Sequence, residues 1–394
     1  MLGASGALGM GCGDGAAGTG GGGAASTGQG GGGAETTTSS MTGTGGTGGA
    51  GGTGGTGGAG GASAVPVTLL TLNLHCFQLG GTSFASNTER FAAITAFAVE
   101  RGVDVMTVQE ACQRPGEDAI LSLREALSEA TGQEWSSVWA FAHVAWEGTP
   151  DQADEGVGLL IRGDGWSEVA VDHAVQSALH RVAVSARLPP ELGGARVMSI
   201  HFDVFDAEAR SAQAREAAAA AIADSEPAFD AIVAGDFNDV EGSPAWSAFP
   251  AMGYLPANEG LDPTGIDHVM IHRAAPLRPV SAEEVLTGTD AVSDHPGILV
   301  RFEPAAGDAV TATRIFTEAD PGSGHFLSVR GDTAPLSWDF GVPMRPSPPD
   351  GHFLVLTEIQ GAFQFKLLRD DTVWQQGENE TGNAGEDLTV TPAF

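Results

Sequence analysis

Lysine is almost missing from this chain: Lys366 is the only one in 394 residues, and lysine plus arginine reach just 18. Set against 50 acidic residues, this leaves a formal net charge of -32. A field of that sign repels polyanions, so tight nonspecific binding along a nucleic-acid backbone is not expected. Cysteine is scarce too. Cys12, Cys76 and Cys112 are the whole supply, too few for a scaffold built on disulfides. No apolar run is long enough to read as a membrane-spanning helix, which needs about 18 residues or more.

Glycine, by contrast, is abundant, with 58 residues concentrated before Val65. Residues 13–64 are almost entirely Gly, Ala, Ser and Thr. They cannot bury enough apolar surface to offset the entropy of ordering, and read as a flexible linker with a reach on the order of 40 Å. Ahead of it, residues 1–12 are small and apolar up to Cys12. This segment resembles the end of a bacterial lipoprotein signal, whose cysteine becomes the lipidated first residue. The resemblance implies a secreted protein, or one lipid-anchored at Cys12 to the cell envelope and facing outward. A monomer is expected.

Pattern begins at Pro66. Val67–Asn73 and Val103–Gln109 read as buried strands, and Asn87–Arg101 as a helix with Phe91, Ile94, Phe97 and Ala98 on one face and Gly102 as its stop. Further strands are expected at Gly156–Ile161, Arg181–Arg187, Ala195–His201, Ala231–Ala234, His268–Ile271 and Ile298–Phe302, with an alanine-rich helix at Ala207–Ala223. Interspersed strands and helices make residues 65–304 an α/β domain. Between Pro66 and Pro304, 13 arginines face 35 acidic residues, which suits sites for hard divalent cations. Residues 311–394 show short strand-like runs and Gly/Pro turns, and read as a separate all-β module.

Five segments of the α/β part share one feature, a polar residue at the end of an apolar strand. They are Thr71-Leu-Asn73-Leu-His75, Val108-Gln-Glu110, Met198-Ser-Ile-His201, Gly235-Asp236-Phe-Asn238, and the pair Asp267-His268 with Ser293-Asp294-His295. Each alone reads as a turn residue or helix cap. Strand ends on one sheet edge converge, however, and that is how α/β folds assemble sites.

The ordered set resembles the endonuclease/exonuclease/phosphatase superfamily, with Gly-Asp-Phe-Asn and Ser-Asp-His the most specific parts, over roughly residues 67–302. The resemblance implies a four-layer α/β/β/α sandwich and a metal-dependent phosphoesterase using Mg²⁺, or Mn²⁺ or Ca²⁺. By motif, it implies that Asn73, Glu110 and Asp294 lie at the metal, with Glu110 the principal ligand. It further implies that Asp236 orients water, Asn238 binds phosphate, His295 lies beside the scissile phosphate oriented by Asp267, and His201 stabilises phosphoryl charge. His268 should point to the opposite strand face, His75 is open between a site role and a structural one, and Arg181, Arg210 and Gln213 resemble site support. His143, His173 and His180 have no metal-ligand spacing. Cys76 and Cys112 follow the first two strand ends, so a disulfide bracing those loops is expected if the strands are neighbours.

In the C-terminal part, Leu336-Ser-Trp338-Asp and the segment Phe363 to Asn379 resemble the starch-binding modules, small β-sandwiches. The resemblance implies polysaccharide binding, with Trp338 and Trp374 as an aromatic platform and Lys366 and Asn379 bonding sugar hydroxyls. The functions that stand are an extracellular nuclease or other phosphodiesterase, a phospholipid or sphingomyelin phosphodiesterase or a small-molecule phosphatase (phosphomonoesterase) with the same site, and a catalytically silent polysaccharide-binding protein.

Overall fold

The computed structural model describes residues 65–163, 168–347 and 351–394. The expected signal, the Cys12 anchor and the Gly-rich linker lie outside the described residues. In chain order the strands of the α/β part are β1 (Val67–Asn73), β2 (Val105–Arg114), the two-residue β3 (Glu117–Asp118), β4 (Trp135–Ala145), β5 (Ala153–Arg162), β6 (Glu168–Asp172) and β7 (Val182–Arg187). There follow β8 (Arg196–His201), β9 (Ala231–Asp236), β10 (Tyr254–Pro256), β11 (Asp267–His272), β12 (Leu277–Val285) and β13 (Gly297–Pro304). The helices are α1 (Asn87–Arg101), α2 (Ala119–Thr131), α3 (Ala207–Asp224) and α4 (Pro244–Ala251).

The strands form two sheets, ordered β12-β13-β1-β2-β5-β4, with β3 paired to β2, and β10-β11-β9-β8-β7-β6. Period-two alternation makes each strand a boundary between layers. In β1, Val67 and Leu69 enter the apolar layer between the sheets, whereas Leu70 and Leu72 face α1 and α2. In β9, Ile232 and Ala234 face between the sheets and Val233 faces α3 and α4. The result is the expected α/β/β/α sandwich. Ser86 and Asp118 cap the N-termini of α1 and α2 through their side chains, and Gly102 and Gly132 end those helices in the left-handed region.

The C-terminal part is a β-sandwich with no helix among its described residues. One sheet has β14 (Thr313–Thr317), β17 (Arg345–Ser347), β18 (Gly351–Leu356) and β22 (Asp387–Thr389). The other has β15 (Leu327–Gly331), β16 (Val342–Pro343), β19 (Ala362–Arg369), β20 (Val373–Trp374) and β21 (Glu380–Asn383). It is not loosely appended. Its core residues Ile315, Val329, Leu354 and Phe365 belong to one continuous apolar cluster with Ala217, Ala221 and Ile222 of α3. Arg215 on α3 donates to the Gly341 carbonyl at 2.9 Å, and Arg273 beyond β11 donates to Glu358 at 2.9 Å. Alanine serves α3 on both sides because the helix is covered twice, by the second sheet and by β16 and β18.

Candidate active site

The polar strand ends meet where the apolar filling between the sheets stops. Parity explains the convergence. Asn73 and Thr71 share the face of Val67 and Leu69, while Asp236 shares that of Ile232 and Ala234. His201 shares the face of Val197, and Asp267 that of Val269. His268 faces the other way, its ring edge-on to Phe237 and its Nε2 2.9 Å from the Asp239 carbonyl, as a structural residue should. β8 and β9 run parallel with His201 opposite Asp236, and β11 sets Asp267 opposite Asp236 from the other side.

Two local devices aim the side chains. The pairing of β2 with β5 shifts register between Val108 and Ala111, and Glu110 has φ 45°. Such a bulge re-aims a side chain, here turning Glu110 toward Asn73. Gly235 answers a different need. A Cβ at this position would sit 2.1 Å from the Ile200 carbonyl oxygen, so only glycine lets β9 lie this close to β8 beside Asp236.

Asn73 is wholly buried, and its amide nitrogen donates to Glu110 at 3.0 Å and to Asp236 at 3.1 Å. Its oxygen accepts from the His75 backbone N–H at 2.9 Å. Asn73 therefore holds two carboxylates together. The other oxygen of Asp236 accepts from the Asn238 backbone N–H at 2.7 Å, and the Asn238 amide is tied to the Phe202 carbonyl at 3.0 Å. His201 Nε2 lies 3.5 Å and His295 Nε2 3.9 Å from Asp236 Oδ2. His295 Nδ1 is 2.8 Å from Asp267. Asp294 points to a different neighbour, His75 Nδ1 at 3.2 Å, which draws His75 to the rim of the site.

Electrostatics are set by burial and crowding. Burial, then the nearby Glu155, pushes Glu110 up to about 7. Burial, then Asp267, pushes Asp236 up to about 6. Burial opposes charge on His295, but Asp267 and then Asp236 outweigh it and push it up to about 10. His201 is held well below its ordinary value by burial, then by Arg181, His295 and His143.

A divalent cation fits this set. The hard oxygen donors of Glu110 and Asp236 are gathered by the Asn73 amide while Asp294 faces His75, and no Lys or Arg among the described residues forms an ion pair with any of the three. One ligand atom from each of Asp236, Asp267 and His295 lies within 4.8 Å of the other two, and Asp267 Oδ1 is buried without a hydrogen-bond partner.

The loop after β1 is fixed from two sides. Cys76 and Cys112 are disulfide-bonded, with Cα atoms 4.9 Å apart, which the parallel pairing of β1 with β2 makes possible. Arg90, fully buried on α1, donates to the carbonyls of Leu74 at 2.9 Å, Cys76 at 2.6 Å and Gln78 at 3.0 Å. Reading the sequence did not single out Arg90 or Glu155. A lone charged residue on the apolar face of a helix or strand was the available signal for both.

The four expected sugar-binding residues lie together on the C-terminal module. The Trp338 and Trp374 rings are 6.1 Å apart and tilted by 38°, and Trp374 is 42% exposed. Lys366 Nζ donates to the Gln375 and Gly377 carbonyls at 2.9 and 2.7 Å, and Asn379 donates to Gln364 at 2.8 Å.

An α/β/β/α sandwich with buried carboxylates and a histidine–aspartate pair at one end of its inter-sheet layer fits a phosphoesterase. The Endonuclease/Exonuclease/phosphatase family profile matches residues 70–295, and the chain belongs to that family, as a hydrolase acting on ester bonds. Solved structures share the fold. A family protein from Leptotrichia buccalis is 18% identical, covering 60% of this chain and 99% of its own, with a TM-score of 0.50. The catalytic domain of human nocturnin, solved with a sulfate anion, is 16% identical, covering 61% of this chain and 95% of its own, also with a TM-score of 0.50. Comparison with curated proteins finds no match.

Proposed function

We propose that this chain is an extracellular phosphodiesterase or nuclease in which water attacks phosphorus at the Asp236 site, supported by Mg²⁺ or a similar cation at Glu110. The observation that carries the reading is the meeting of Glu110, Asn73, Asp236, His201 and His295 at one strand-end cluster. Glu110 and Asp294 would hold the cation, which when bound would neutralise phosphate charge and lower the pKa of a water. Asp236, acceptor-only when ionised and fixed by Asn73 and the Asn238 N–H, orients the attacking water and takes its proton. His295, held protonated against Asp267, is a charged donor rather than the base, and it gives its proton to the leaving oxygen as the ester P–O bond breaks. His201 donates to a phosphoryl oxygen, and Asn238 helps to place the ester. The Cys76–Cys112 disulfide supports an oxidising compartment.

The Trp338–Trp374 pair favours a polysaccharide partner for the module. The exposed Trp374 and the half-buried Trp338, tilted against each other, offer apolar ring surface to sugar rings with polar groups alongside. Turnover of a phosphodiester and a phosphomonoester chromogenic substrate, with Mg²⁺ and with EDTA, tests the enzyme. Asp236→Asn should lower kcat by roughly 10³-fold. No turnover of any phosphoester by wild type, with intact binding of insoluble starch, would favour a silent binding protein instead.

A further inference from the structure

Behind the proposed donor His201 runs a row of buried polar groups whose order decides what His201 can do. Glu155 on β5 and Arg181, just before β7, form an ion pair at 3.4 Å, with both side chains under 10% exposed. The same Arg181 NH1 lies 3.1 Å from His201 Nδ1. On the far side His143 Nε2 approaches Glu155 at 3.7 Å, and its Nδ1 is 3.2 Å from the His180 carbonyl. The Cys76 and Cys112 sulfurs lie within 4.8 Å of a Glu155 carboxylate oxygen, so the disulfide forms part of the wall around this row.

A guanidinium carries only donors. At 3.1 Å, Nδ1 of His201 must therefore be the acceptor, and the single proton of the neutral ring must sit on Nε2. That nitrogen is the one facing Asp236 at 3.5 Å. We propose that Arg181, itself oriented by Glu155, is a positioning residue that locks His201 as the neutral Nε2–H tautomer, making it a fixed hydrogen-bond donor to the phosphoryl group rather than an acid that delivers a proton. The inference rests on the phosphoesterase reading.

The alternatives are poorer on the same geometry. A carboxylate directly against Nδ1 would pull a proton there and favour imidazolium. Here the carboxylate is one group further away, and a permanent cation stands between. The other groups around His201 are Asp236, which favours its charge, and His295 and His143, which with Arg181 oppose it. No net proton moves in the proposed role. Arg181 keeps its charge, and His201 gives a hydrogen bond and takes it back when product leaves.

The test compares Arg181→Met, Arg181→Lys and the double variant Arg181→Met/Glu155→Met, the last removing the lone buried carboxylate that would otherwise unfold the single one. Imidazole ¹⁵N spectra of His201 read the tautomer directly. Wild type should show an unprotonated Nδ1 and a protonated Nε2 that do not change from pH 5 to 8. Arg181→Lys should keep that signature and most of kcat. The folded double variant should lose the fixed tautomer, show a His201 titration in that range, and lose roughly 10²-fold in kcat with KM little changed. A protonated Nδ1 in wild type, or a double variant with unaltered ¹⁵N pattern and kcat, would overturn the proposal. If Asp236→Asn is as active as wild type, the phosphoesterase reading itself fails, whatever the tautomer.

Discussion

The two sandwiches of this chain handle charge in opposite ways. In the α/β part, acidic groups are driven inside: Glu155, Asp236 and Asp267 are all buried at one end of the inter-sheet layer, with Glu110 beside them. In the C-terminal part the core is apolar, and the candidate binding groups lie at the surface around Trp374. Buried carboxylates are held against their own desolvation cost, which is useful where chemistry needs a shifted proton affinity or a metal. An indole pair with Trp374 at the surface carries no such tension and suits reversible contact with a neutral surface. The difference separates a reacting site from a holding one within one compact unit.

The largest test of that contrast is to separate the parts. A chain ending at Pro304 uncovers the outer face of α3, which shares a core with the module. It should aggregate or melt far below the full chain, and calorimetry of the full chain should show one transition for both parts. Two independent transitions, with a soluble truncated enzyme, would show that the module is only an appendage. Next in size is Glu110→Gln, which should cut turnover by roughly 10²-fold or more while the protein stays folded by circular dichroism. Little loss would mean that Glu110 is not the principal ligand.

Opening the Cys76–Cys112 bond, by Cys76→Ser with Cys112→Ser, should cost about 2–4 kcal/mol in a denaturant titration. It should also reduce activity more than it reduces polysaccharide binding, because the bond braces the site loops and not the module. The smallest expected change is in Trp374→Ala, a roughly tenfold weaker retention on immobilised polysaccharide, set against unchanged retention for an exposed residue elsewhere, such as Val280. Equal retention of Trp374→Ala and wild type would leave the indole pair without a ligand role.

Much of the site was legible because its residues break a simple pattern. Asn73, Glu110, His201 and Asp236 are polar ends on apolar strands, and the alternation that makes β1 and β9 readable also tells which face each end takes. The disulfide followed from two cysteines placed just past neighbouring strand ends. Other parts were not read. The edge strands β4 and β12 are half-exposed along most of their length, and β12 carries Pro279, Glu283 and Glu284, so neither shows a clean period of two. The helix α2 does show Ile120, Leu123 and Leu127 at helical spacing, but a short turn-like segment precedes it and blurs its start. Glu155 stands out as a charge on an apolar strand face and Arg181 as an expected support residue, but their pairing with each other and with His201 arises only when β5 and β7 are brought against β8 in space. The docking of the module was hidden for a similar reason: an alanine helix without a polar face can be covered on one side or on two.

The most direct measurement is calorimetric titration of Mg²⁺ and Mn²⁺ into chelator-stripped wild type and Glu110→Gln at pH 5 and pH 8, with phosphoester turnover followed in the same samples. Glu110 and Asp236 have folded pKa values raised to about 7 and about 6. Stripped protein should therefore lose stability as pH rises from about 4 to about 7, where these groups must ionise while buried. His295, raised from 6.5 to about 10, keeps its full contribution below about pH 6.5 and loses it progressively as pH rises from there to about 10. The account predicts one tight divalent site in wild type, stronger at pH 8 than at pH 5 because protons compete for it, with turnover rising in step with occupancy. Saturating turnover in stripped protein, or equal metal binding by Glu110→Gln, would contradict it.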